Sequence, residues 1–143
     1  MSKCANCGKE DAAIEFEAYT WHGGSKKNVK FICCSEECKR EAEQFITYVN
    51  KNVRKFITLI IIGTLSFIPF IILYSIYKND IFGVFSAVAP LAIIGLAIYK
   101  YPFSTPQTNS VLGLKKASRT VKVIGLSLIA AGIIILSIYL ILS

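Results

Sequence analysis

The chain has 143 residues, 54% of them hydrophobic, and carries sixteen Lys and Arg against nine Asp and Glu, a formal net charge of +7. A mean hydropathy of +0.55 excludes an ordinary soluble globule, because unbroken apolar runs of the kind found here suit lipid rather than one buried face. The positive charge does not point to nucleic acid, because its members flank apolar segments, where basic residues act as topology signals.

The first 55 residues are polar and charged and carry the cysteines, beginning with the close pair Cys4-Ala5-Asn6-Cys7. No apolar leader precedes that pair, so export of this region by a cleaved signal is not expected. Ala13–Trp21 alternates and is rich in β-formers. His22-Gly23-Gly24-Ser25-Lys26-Lys27 reads as a flexible turn, and Asn28–Cys33 as a second strand. A second close cysteine pair follows as Cys34-Ser35-Glu36-Glu37-Cys38. Ser35 suits the cap of a helix, with Glu36 and Glu37 in its electropositive first turn. Two thiol pairs joined by a hairpin fit around one tetrahedral ion, so Cys4, Cys7, Cys34 and Cys38 are the candidate ligands of one structural zinc. Disulfides would require an oxidising compartment, and an iron–sulfur cluster would be better served by two Cys-x-x-Cys knuckles. Cys33 is the odd thiol, a small inward strand residue, a replacement ligand or a redox-responsive group. His22, the single histidine, sits in the turn and reads as solvated.

These residues carry a resemblance. The knuckle Cys4-x-x-Cys7, a hairpin, and FICCSEECKREAEQF resemble a treble-clef zinc finger, and the second half is similar to TRASH and FCS-type fingers, with Phe31, Cys34, Cys38 and Phe45 at the matching positions. The resemblance covers about the first third of the chain. It implies a four-cysteine structural zinc site and a role in protein contact or metal handling.

From Glu36 to Tyr77 no proline occurs before Pro69 and no glycine before Gly63, and Ala42, Phe45, Ile46, Val49 and Val53 recur at helical spacing. The finger helix is therefore expected to continue into the first apolar run. Three runs are long enough to span a bilayer: 56–77, 81–99 and 121–142. Pro69 and Pro90 are tolerable in such helices. The runs hold no Asp, Glu, His, Lys or Arg in their interiors, which speaks against a pump, and a small channel or carrier ranks last among the functions weighed. Gly125 with Gly132, and Ser127 with Ala131, offer small positions for close helix contact.

The connector Lys78-Asn79-Asp80 is nearly neutral, whereas 100–120 carries only positive charge, as does the flank Lys51, Arg54 and Lys55. The positive-inside rule then puts the N-terminal domain and the second connector in the cytoplasm and the C-terminus outside, in a multi-pass protein of the cell membrane. Val111, Leu112 and Leu114 followed by Lys115, Lys116 and Arg119 suggest a short amphipathic helix on the lipid surface, able to meet anionic headgroups or an acidic partner.

The expected fold class is a small α+β treble-clef zinc domain (knuckle, β-hairpin, helix) over 1–55, followed by a membrane domain of three transmembrane helices over 56–143. Four thiolates close the ion's coordination sphere and no nucleophile–base constellation occurs elsewhere, so an enzyme is not expected. The expected function is that of an accessory or regulatory subunit of a larger membrane protein complex, recognised through Trp21, Lys26, Lys27 and Lys30. The alternative is a metal- or redox-responsive sensor built on the zinc thiolates and Cys33.

Overall fold

The computed structural model describes residues 3–10, 12–22, 25–103 and 112–142. Its elements are β1 (Ile14–His22), β2 (Ser25–Cys33), α1 (Glu36–Leu65), α2 (Phe67–Tyr77), α3 (Asp80–Lys100) and α4 (Leu114–Leu142). They form two compact units, one of residues 1–53 with 102–121, the other of residues 54–101 with 122–143.

In the first unit β1 and β2 pair antiparallel, from Ile14 opposite Cys33 to His22 opposite Ser25. The strands are longer than the alternation alone predicts. His22, Ser25, Lys26 and Lys27 belong to the ladder rather than to a turn, since cross-strand pairs such as Trp21 with Lys26 extend it to the Gly-Gly dipeptide. Gly23 and Gly24 lie outside the described residues. One face of the hairpin is apolar: Phe16 is buried and stacks on Phe31, centroids 5.4 Å apart. Against it lie Ala42 and Ile46 of α1, the inner part of the stripe read from the sequence. Burying each large side chain here contributes about 1.5–3 kcal/mol.

Leu114 of α4 belongs to this same core. That corrects one expectation. Leu114–Arg119 is not a separate amphipathic helix presenting its leucines to lipid but the first turns of a 29-residue helix, with Leu114 and Ala117 buried. Val111 and the turn-like stretch 104–110 lie outside the described residues.

α1 runs unbroken for 30 residues, from the polar unit into the apolar run, as the absence of early breakers leads one to expect. It ends where Pro69 has no N–H to offer the carbonyl of Leu65. At that break the N–H and hydroxyl of Ser66 both donate to the carbonyl of Gly63, at 3.3 and 2.7 Å. Pro69 then sits in the first turn of α2, where a missing donor costs little. α2 closes on Lys78, whose N–H still donates to the carbonyl of Tyr74 and whose φ of 53° turns the following chain out of the helix. Asn79 caps α3 by accepting from the N–H of Ile81 at 3.0 Å. The resulting helical hairpin stacks Phe70 on Phe85 at 5.7 Å.

α3 and α4 come close at two glycines. A Cβ on Gly95 would lie 2.8 Å from the carbonyl oxygen of Gly125, and one on Gly125 would lie 2.7 Å from the backbone nitrogen of Tyr99. The rest of this unit is apolar outward. Ile61, Ile62, Ile72, Ile124, Ile134 and Leu140 are all more than half exposed. Water does not tolerate such a continuous surface, and lipid does. Three helical stretches, Glu36–Tyr77, Asp80–Lys100 and Leu114–Leu142, are long and apolar enough to cross a membrane.

Candidate metal centre

The two cysteine pairs are built by local structure. The first sits in a tight turn in which Gly8 N–H donates to the carbonyl of Cys4 at 2.9 Å and Cys4 N–H to that of Lys9 at 2.8 Å. Ala5 N–H donates to the carbonyl of Ile32 at 2.8 Å and ties this knuckle to β2. The second pair frames the start of α1. Ser35 Oγ accepts from Cys38 N–H at 3.2 Å, the cap expected from the sequence, which places Cys34 before the helix and Cys38 in its first turn.

These elements bring Cys4, Cys7, Cys34 and Cys38 together, with all four sulfurs within 4.8 Å of one another. The Cys7–Cys34 and Cys34–Cys38 sulfurs are each 3.6 Å apart. Four thiolates at about 2.3 Å from a tetrahedral ion stand about 3.8 Å from each other, so the spacing fits a metal-ligand set. All five cysteines are free.

The electrostatics of the sulfurs are uneven. Burial pushes the Cys4 thiol up, but the backbone N–H groups of Cys7, Cys34 and Asn6 outweigh it, and the value falls to about 6. Hydrogen bonds to the neighbouring sulfurs, Cys38 first, push the Cys34 thiol up to about 12. Cys4 thus favours the thiolate while Cys34 favours the thiol that its sulfur neighbours hydrogen-bond.

Cys33 is fully buried beside this cluster, in the core with Phe16 and Ala42. Burial first, then the charge on Cys4, pushes its thiol up to about 12. By its place Cys33 is a small, inward-facing core residue of β2.

The residues expected to meet partners are dispersed. Trp21 is half-buried and its indole nitrogen is covered without a hydrogen-bond partner, while Tyr19, two positions earlier, is 66% exposed. Lys30 pairs with Glu17 across the ladder at 3.6 Å, Lys27 is exposed, and Lys26 is placed only as a strand residue. On α4, Lys116 and Arg119 are exposed, and Lys115 and Arg119 line an open groove with Glu41, Gln44 and Ser118.

Sequence patterning missed the polar tie around the knuckle. Asn6 is buried and donates from Nδ2 to Glu41 at 2.7 Å, and Glu41 also accepts from Lys115 Nζ at 3.2 Å. An Asn inside a knuckle and a Glu on a helix are unremarkable in isolation, and no local signal marks them as partners. No protein-family model matches the chain, and neither a characterised protein nor a solved structure is significantly similar to it.

Proposed function

We propose that this chain is a non-catalytic, membrane-anchored zinc-finger protein, an accessory or regulatory subunit that binds a larger membrane protein complex from the cytoplasmic side. The observation that carries this reading is the four-sulfur cluster, built on a knuckle, a hairpin and a helix start and followed by helices suited to lipid. The order of those elements supports a treble-clef finger of TRASH or FCS-like type, and the all-thiolate set supports zinc in a structural role. Four thiolates leave a zinc ion no open position for substrate. The basic flank Lys51, Arg54 and Lys55 and the basic start of α4 support a cytoplasmic finger, with anionic headgroups meeting Lys115, Lys116 and Arg119.

Partner selection lies on the outer face of the hairpin, where Tyr19, Asn28 and Lys30 are exposed. Affinity purification of the tagged full chain from mild detergent, with metal analysis of the same sample, tests the reading. One zinc per chain and a stoichiometric membrane partner, lost in the Tyr19→Ala, Lys30→Glu double variant, are the expected results. Iron, or a chain that purifies alone from its native membrane, would overturn it.

A further inference from the structure

We propose that the metal centre operates a latch on the start of α4: with the ion bound, the backbone of the knuckle caps this helix, and loss of the ion releases it. The proposal rests on the metal-binding reading above.

A helix begins with backbone N–H groups that have no partner within the helix. In α4 two of these are satisfied by the knuckle. Leu114 N–H donates to the carbonyl of Ala5 at 2.8 Å, and Lys115 N–H to that of Asn6 at 3.0 Å. Both acceptors are the residues lying between the two knuckle cysteines, so the bonds require the turn that Cys4 and Cys7 make when they grip one ion.

The fit leaves no slack. Gly113 adopts a φ of +76°, and a Cβ there would lie 2.7 Å from the oxygen of Asn6, 2.7 Å from the nitrogen of Gly8 and 2.9 Å from the carbonyl carbon of Cys7. Those are backbone atoms, which cannot rotate aside. The contact is main chain against main chain, and it exists only while both segments hold their shape. Side chains reinforce it through Asn6, Glu41 and Lys115. Charge does so too, because a divalent ion with four thiolates is a net dianion, and the first turn of α4 presents the positive end of its dipole to the knuckle.

Linkage makes the coupling reciprocal: whatever factor the ion adds to the closed latch, the closed latch adds to affinity for the ion. The latch therefore reports the ion to residues 112–118, and a force that pulls α4 off the knuckle loosens the ion.

The test is hydrogen exchange on the full chain in lipid nanodiscs, loaded with one equivalent of zinc and then stripped with a chelator. The Leu114 and Lys115 amides should exchange at least tenfold faster after stripping, with no change across 123–140. Gly113→Ala should open the latch while zinc remains bound at saturation, and should weaken zinc in chelator competition by the factor by which stripping speeds exchange. If that variant holds no zinc, Lys115→Ala, which adds no atom, takes its place and should speed exchange at Leu114 severalfold with zinc bound. A chain that binds one zinc yet exchanges equally with and without it overturns the latch and leaves the metal centre standing. A chain that binds no metal removes both. Native-like exchange at Leu114 in the zinc-bound variant also overturns the latch.

Discussion

Asn6 and Glu41, 35 positions apart, meet in a 2.7 Å hydrogen bond that fastens the cysteine knuckle to the side of the first helix. The Asn6 amide first, and the Lys115 ammonium second, hold the Glu41 carboxyl below its ordinary value of 4.5. A carboxyl lowered in the folded state contributes stability that is fully present above its unfolded value and is lost as pH falls through the folded one. The carboxyl carbon resonance of Glu41 should therefore titrate with a midpoint below 4.5. Asn6→Ala should move that midpoint upward, and Glu41→Gln should remove this step from the acid unfolding profile.

Cys38→Ser should strip the finger of metal and leave the membrane helices inserted. Loss of a residue that merely orients a ligand costs about 10–100-fold in metal affinity, and loss of the ligand itself costs more. Metal content should fall from one per chain to none, and protease should cut within residues 3–50 while the apolar segments stay protected.

Gly95 and Gly125 should resist substitution and Gly132 should accept it. A Cβ on either of the first two meets backbone atoms under 3 Å away, whereas on Gly132 the nearest atoms stand at 3.7 Å. Gly95→Val or Gly125→Val should cost about 1–3 kcal/mol, as overpacking does. In detergent that is a fall in Tm of roughly 2–12 °C, at about 2–4 °C per kcal/mol for a chain of this size. Gly132→Ala should change Tm by less than either.

The basic residues predict an orientation that reporter fusions test. Alkaline phosphatase joined after Asn79 or after Leu142 should be active outside the cytoplasmic membrane, and a fusion at Phe103 should be inactive. The reverse pattern would place the cysteines in an oxidising compartment and favour disulfides over metal.

The chain announces its local chemistry openly. Hydrophobic run length displays the helices able to cross a membrane, and close thiol spacing displays the cysteines of each pair, because both properties act between near neighbours. Ser35 was legible as a cap for the same reason, since its acceptor serves an N–H three residues on. The strand ends were less so, because His22 and Lys26 pair through backbone bonds that polar side chains do not reveal. What patterning could not supply was the place of Leu114 in the finger core. A leucine before Lys-Lys fits a lipid-surface helix equally well, and only its contacts with residues about a hundred positions earlier decide. The half-buried setting of Trp21, its indole nitrogen covered, is likewise a matter of contacts that the spacing of the strand does not give.

The presence of Leu114 in a core otherwise drawn from residues 4–46 also sets an order of events during synthesis. All four thiols have left the peptidyl-transferase centre when Cys38 is made, but the residue that completes their shelter follows 76 positions later, from 38 to 114. At about 5–20 residues per second that interval is on the order of 4–15 s. Two apolar helices emerge during it. The first unit therefore spends those seconds as an unfinished nascent domain, its core lacking one wall, until the ribosome delivers the start of the last helix.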